Sequence, residues 1–234
     1  MAELYVGTSG YAYAEWKRNF YPAKLPAAQM LKYYSQQFRT VEINYTFYRL
    51  PAERTLAEWV AATPEAFCFA LKANQRITHV QRLQDVDSLL RRFLEAATVL
   101  ALEGRLGPML FQLPPNFALD LERLDEFLAQ RPRAARFAME FRHPSWFTDE
   151  VYECLRQHQT ALCLAETDET STPEILTTNF AYLRLRRTSY GEAELRAWRK
   201  KFDAWCASGT DVYVYFKHEE EGRGPAYARR LLEL

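Results

Sequence analysis

The chain has no surplus of charge of either sign: 30 Lys and Arg balance 30 Asp and Glu. No whole-molecule field therefore draws it to DNA, RNA or an anionic membrane, and a nucleic-acid partner would need a local basic patch. Cysteine is scarce and scattered: Cys68, Cys154, Cys163 and Cys206 form no CxxC. That spacing argues against a disulfide framework or a zinc module and fits buried thiols in a reducing compartment. No apolar run approaches ~18 residues, so no membrane span is expected. A strand begins almost at once, at Leu4, without a basic, apolar and small-residue leader, which points to a cytoplasmic protein. Gly-rich nucleotide loops, a P-loop and a GxSxG elbow are missing. The metal donors within reach of a site would be His79, His143, His218, Glu42, Glu140 and Asp168, but no HExxH or HxH spacing joins them. A bound metal is not favoured, and no cofactor is assigned.

What the chain does have is aromatic side chains, 14 Tyr and 15 Phe among 234 residues, and one unusual stretch, Thr40 to Pro51, TVEINYTFYRLP. Val41 and Ile43 alternate there with Glu42 and Asn44, so the two pairs occupy opposite faces of a strand. A carboxylate in the middle of an apolar strand is costly unless something pairs with it. An aromatic loop, Tyr45, Phe47 and Tyr48, follows.

The rest of the chain alternates two periods. Further strands are expected at Leu4 to Gly7, Phe67 to Lys72, Gly107 to Leu113, Arg136 to Arg142, Ala161 to Ala165, Phe180 to Arg186 and Asp211 to Phe216. Helical spacing covers Pro26 to Phe38, Ala52 to Ala62, Val86 to Leu102, Leu121 to Gln130, Phe147 to His158, Glu192 to Ala207 and a final helix opened by Pro225. The connection Glu166 to Asn179 is rich in Thr, Ser and Asp and has room for a brief helical turn at most. Eight strands alternating with about seven helices predict an α/β fold: a single (β/α)8 TIM-type barrel over residues 1–234, with a reduced or missing helix between strands six and seven.

Helices cover the outer face of each strand of such a barrel, so strand polar residues must point into the lumen. The rule selects Glu42 and Asn44, Lys72, Gln112, Glu140 and Arg142, Glu166, and Arg184 and Arg186, all in the second halves of their strands or just beyond. Active sites of this fold sit at that end. Glu42 and Glu140 are the carboxylates deepest in apolar context and the candidates for acid/base work. A structural ion network of Glu42, Lys72, Glu140 and Arg184 filling the lumen would account for the same residues. Lys72 is suited to a Schiff-base amine, an anion anchor or a counter-ion, with the last two favoured. His79 lies in the following loop. Arg142-His143-Pro-Ser-Trp146 fits anion recognition with stacking, and equally a helix entry with Trp146 packed beneath it. Arg184, Arg186, Arg187, Tyr190, Lys217 and His218 fall where barrels hold phosphate, although Glu219, Glu220 and Glu221 would repel an anion.

The segments GTSGYAYAEWKRNFYP, VEINYTFYRLP, FALKANQRITH, FQLPPNF, MEFRHPSWF, FAYLRLR and VYVYFKHEEEG stand in the order found in the YecE-like family, domain of unknown function 72, which the chain resembles from first strand to last helix. The resemblance implies a TIM-type barrel with a pocket at its C-terminal face, and no defined activity. Its matched positions are Glu42, Asn44, Lys72, Thr78, His79, Gln112, Glu140, Arg142, Trp146, Tyr182 and Arg184. The chain departs from the family at Arg186-Arg187, where many relatives have His-Gly, and at Lys217-His218, where an Asn pair is common.

Together these readings lead to an enzyme acting on a small anionic substrate, phosphorylated or carboxylated. Glu42, Glu140, Lys72 and His79 would carry the chemistry. Arg142 and Arg184 would complete the anion clamp with Lys72, and Asn44, Tyr11, Tyr45, Tyr48, Gln112, Trp146 and Tyr182 would line the site. The alternatives are a nucleic-acid binder or phosphodiesterase using the same groups, and a metabolite-binding protein without chemistry.

Overall fold

A computed structural model describes residues 2–218 and 221–234. Strands β1 (Leu4–Thr8), β2 (Thr40–Ile43), β3 (Cys68–Lys72), β4 (Leu106–Gln112), β5 (Phe137–Glu140), β6 (Ala161–Glu166), β7 (Phe180–Leu185) and β8 (Asp211–Phe216) are all parallel; from β2 to β8 each is bonded to its sequence neighbour, and β8 pairs with β1. Helices α1 (Met30–Ser35), α2 (Tyr45–Tyr48), α3 (Glu53–Ala62), α4 (Asp87–Leu102), α5 (Leu121–Ala129), α6 (Asp149–Gln157), α7 (Glu192–Ala207) and α8 (Arg223–Glu233) alternate with them. The expected α/β barrel is therefore present, and no helix separates β6 from β7. Among the described residues, no helix is long and apolar enough to cross a membrane. All four cysteines are free thiols.

The outer helices bury one stripe each, as helical period requires. Leu90, Phe93, Ala97 and Leu100 do so on α4, and Leu124, Phe127 and Leu128 on α5. They meet the outward strand residues, such as Val41, Ile43, Phe69, Phe111 and Phe137, in the larger apolar core. Where the helix between β6 and β7 is missing, threonines do its work on the exposed backbone. Thr177 Oγ1 donates to Thr160 O (2.6 Å) and accepts from Leu162 N (2.9 Å), and Thr172 Oγ1 accepts from Ala165 N (3.2 Å).

The barrel closes between β1 and β2, where the strands meet only near their ends: Ser9 bridges to Glu42, and Gly10 N donates to Glu42 O (2.8 Å). Below that point the Tyr34 hydroxyl stitches the seam, accepting from Thr8 N (2.8 Å) and donating to Thr40 O (3.1 Å). A side chain at Gly7 would put its Cβ 2.2 Å from Thr40 O, so only glycine allows this approach.

The lumen is filled from the bottom. Tyr5 stacks on Tyr213 with ring centroids 4.7 Å apart, and Arg136 bonds both Tyr213 Oη (2.7 Å) and Asp211 (2.8 Å). Above them a second layer contains Ala70, Leu110, Ala138, Cys163, Tyr182 and Tyr215. These layers close the N-terminal end, so the polar residues above them face the C-terminal end of the strands.

Some sequence-based boundaries move. The helix expected over Pro26 to Phe38 is a 3-10 turn, Ala27–Gln29, followed by the six residues of α1. The aromatic loop after β2 is instead one helical turn, α2, tied down by Thr46 Oγ1 donating to Lys72 O (2.6 Å). Strand five stops at Glu140 and strand seven at Leu185, which leaves Arg142 and Arg186 just beyond the ladder.

Candidate functional site

The alternation of β2 turns Glu42 inward while Val41 and Ile43 pack outward, and the same alternation on β5 and β7 turns in Glu140, Tyr182 and Arg184. These residues converge on one point. Arg184, 1% exposed, spans the lumen between two carboxylates that are 0% exposed. Its Nη2 lies 2.9 Å and its Nε 3.2 Å from Glu42 Oε1, and its Nη1 lies 2.7 Å from Glu140 Oε2. Tyr182 Oη donates to Glu42 Oε2 (2.6 Å), and Ser9 Oγ donates to Glu42 Oε1. The other Glu140 oxygen accepts from Arg142 Nε (3.2 Å) and Arg186 Nη2 (3.1 Å).

Burial by itself would push both carboxyl pKa values up. For Glu42 the Arg184 charge and the Ser9 and Tyr182 hydroxyls outweigh it; for Glu140 the charges of Arg184, Arg186 and Arg142 do. Both groups are held below the ordinary carboxylate range, so they are anions at neutral pH. With all oxygens engaged and little proton affinity, they orient Arg184 and Arg186 better than they take up a substrate proton.

Lys72, 9% exposed, behaves differently. Its Nζ donates to Gln112 Oε1 (2.9 Å) and sits 4.0 Å from the centre of the Phe47 ring. Among the described residues no carboxylate pairs with it; Arg184 takes both. Burial first, and then the Arg184 charge, bring its pKa from 10.5 down to about 8. His79 meets the same Phe47 ring edge-on at 5.0 Å, and its Nδ1 lies 2.9 Å from Thr78 Oγ1. Burial, then the charges of Lys72 and Arg142, lower its pKa too, so the imidazole is neutral at pH 7. Two buried donors in this cluster lack a partner among the described residues: Gln112 Nε2 and Arg186 Nε.

Of the residues named from sequence, Glu42, Glu140, Arg142, Tyr182 and Arg184 form one bonded network, and Lys72, Gln112 and His79 a second group around Phe47. Asn44 joins the first through Ser9, donating to its Oγ (3.1 Å). Tyr11, with Asn44, Tyr45 and Trp59, lines a cavity of about 460 Å3 beside the β1–β2 seam. Tyr48 is 71% exposed and borders another of about 270 Å3 with Asn74 and Arg76. Trp146 is not a wall of the site. It is 0% exposed, stacked on Phe141 at 4.7 Å, with its indole N–H on Phe117 O (2.7 Å), because the turn Pro144–Trp146 drives it into the core.

Ser9 and Phe47 are the participants sequence reasoning left without a role. Ser9 was within reach, since it directly follows β1 and continues the alternation of Tyr5 and Gly7; the contact of Phe47 with Lys72 depends on α2 and had no signal. Arg187 is spoken for by Glu194 and Glu166, which weakens the expected phosphate position after β7. Glu219 and Glu220 lie outside the described residues. The six metal donors named from sequence are not gathered into one group. Among the described residues the donors close enough to share an ion are Asp125, Cys154 and His158 on the outer helices, where His158 Nε2 pairs with Asp125 at 2.7 Å.

Residues 5–234 match the family model described as "Protein of unknown function DUF72". The chain is 25% identical over 268 residues to the UPF0759 protein YunF of Bacillus subtilis (strain 168), covering 99% of this chain and 94% of that one. It is 30% identical to the crystal structure of a DUF72 family protein from Thermotoga maritima MSB8, with a TM-score of 0.89 over 99% of this chain and 98% of that one. A DUF72 family protein from Enterococcus faecalis V583 shares the fold at 18% identity, with a TM-score of 0.83 over 98% and 94% of the two chains.

Proposed function

The chain belongs to the DUF72 family, and from the site it carries we propose that it is an enzyme acting on a small anionic substrate, phosphorylated or carboxylated, at the C-terminal mouth of the barrel. One observation supports this above the others: among the described residues, the cluster has more cations than its carboxylates neutralise. Among those residues Arg184, Arg186, Arg142 and Lys72 face Glu42 and Glu140 alone, and Arg186 Nε and Gln112 Nε2 have no acceptor. An anion resting on Arg142 and Arg186 supplies both the missing charge and an acceptor.

In this reading the carboxylates are the frame. Glu140 aims Arg142 and Arg186, while Glu42, gripped by Ser9 and Tyr182, fixes Arg184. Arg184 is too deep to touch a substrate and sets the local potential. Proton transfer falls to Lys72, whose pKa burial brings down to about 8, and to the His79 imidazole beside the same Phe47 ring, while both glutamates are held as anions. Charge relay through Glu42 or Glu140 is not required.

The test is calorimetric titration of inorganic phosphate, pyruvate and glyceraldehyde 3-phosphate into wild type, Arg142→Gln and Arg186→Gln. At about 1.5–3 kcal/mol per charged hydrogen bond, each variant should bind roughly 10–100-fold more weakly. Absence of binding by any of the three anions to the wild type, or equal binding by the variants, would end the proposal.

A further inference from the structure

We propose that Lys72 is a nucleophilic amine that forms an imine with a carbonyl group on the anionic substrate, so that the substrate class is an aldehyde or ketone bearing a carboxylate or phosphate. The anionic part of this claim rests on the function proposed above; the amine chemistry rests on the surroundings of Lys72.

A lysine that merely anchors an anion, or balances a buried glutamate, is either solvated or ion-paired. Among the described residues Lys72 is neither: it is nearly buried, has an amide oxygen and a ring for neighbours, and stands beside an arginine that has taken both carboxylates. Leaving an ammonium there is costly, and a Met or Gln would fill the space more cheaply. The same conditions that make the position poor for a cation make it good for a neutral amine.

The neighbours also fit the reaction. Gln112 accepts from Lys72 through Oε1 and its Nε2 has no partner among the described residues, so that an N–H is available to a substrate oxygen next to the amine. His79, neutral and packed on the same Phe47 ring, has Nδ1 on Thr78, which leaves Nε2 for a proton. Arg142 and Arg186, with Glu140 behind them, hold the anionic end at the rim.

The steps balance without an outside oxidant or reductant. The lone pair of neutral Nζ forms a C–N bond to the carbonyl carbon, and the carbonyl π pair moves to oxygen, where Gln112 Nε2 donates. The proton lost by nitrogen passes through His79 to that oxygen. A second proton, taken up from solvent by His79 and passed on, then carries the hydroxyl away as water as the C–N bond becomes double, and His79 is left neutral. One water is released and no atom changes its overall oxidation level. The protonated imine then draws electrons from the adjacent carbon, so a C–H bond there can break, its pair entering the enamine and its proton passing to His79.

The experiment uses the full chain with pyruvate, glyoxylate or glyceraldehyde 3-phosphate in the presence of sodium cyanoborohydride, followed by peptide mass mapping. A reduced adduct on Lys72 should form at least about tenfold faster than on the exposed Lys24, Lys32 and Lys200. Lys72→Arg should lose it, and Lys72→Met serves the same purpose if arginine does not fit. Labelling of Lys72 no faster than the exposed lysines by all three probes overturns the proposal. If these anions bind calorimetrically yet leave no adduct, the imine is refuted while the anion site stands. If acetone labels Lys72 as fast as pyruvate, the amine is confirmed and the anion requirement is refuted.

Discussion

Replacing Arg184 with Met tests the physical core of the site. The substitution keeps a long apolar stem but removes the contacts to Glu42 (2.9 and 3.2 Å), Glu140 (2.7 Å) and Ser9 (3.2 Å). Glu140 retains Arg142 and Arg186, so most of the loss falls on Glu42, left fully buried with two hydroxyl donors and no cation. Breaking a buried ion pair by removing one partner costs about 3–5 kcal/mol. At roughly 2–4 °C per kcal/mol for a chain of this size, Tm should fall by roughly 6–20 °C at pH 7.

In the wild type Glu42 titrates below its ordinary 4.5, so its contribution is complete above that pH and is lost only as pH falls through the depressed value. In the variant burial is opposed only by the Ser9 and Tyr182 hydroxyls, the carboxyl pKa rises above 4.5, and the penalty shrinks as pH falls toward that value. Urea unfolding followed by tryptophan fluorescence should show a wild-type advantage that is large at pH 8 and smaller at pH 5. Adding Glu42→Gln to the variant should restore part of the loss and flatten the pH dependence. A loss under about 1 kcal/mol, which is what an exposed pair would give, or one that does not change between pH 8 and pH 5, would refute the argument.

Gly7→Ala should lower Tm, by about 1–3 kcal/mol of stability or more, because its methyl group meets backbone at Thr40 and forces the β1–β2 seam apart. Gly191→Ala, whose nearest neighbour is a carboxylate oxygen at 3.5 Å, should be nearly neutral in the same melt and serves as its control. Lys72→Met should be more stable than wild type at pH 7, because the lysine folds with its pKa lowered from 10.5 to about 8. Between those values the unfolded chain holds more protons, wild-type stability gains relative to the variant, and the difference should narrow by pH 9.5 in urea titrations. The rate of reductive labelling at Lys72 should rise with pH through about 8, as the neutral amine is populated.

The barrel was legible because two periods alternate down the chain and are hard to mistake. Strands such as FCFALK and VYVYF are apolar on both faces, as strands buried between a filled lumen and a helical coat must be. The gap between β6 and β7 was legible for the opposite reason, since Glu166 to Asn179 lacks an apolar stripe to bury. Even the inward direction of Glu42, Lys72, Gln112, Glu140 and Arg184 followed from alternation, because the coat leaves polar side chains nowhere else to go.

Partner choice was another matter. Two glutamates and several cations at one rim admit many pairings, and sequence does not say that Arg184 spans both carboxylates while Lys72 is left with an amide. That depends on the stagger of the strands around the barrel, a property of closure that no single strand contains. Trp146 could face solvent or core until the turn before α6 placed it beneath Phe117 and Phe141. The amino-acid order by itself determined which side chains enter the lumen and at which end, because period and burial act locally. Only the closed barrel decided which of them touch, and so which carboxylates are held ionised and which amine is free to lose its proton, because those outcomes are set by distances across the lumen between residues from 40 to 142 positions apart.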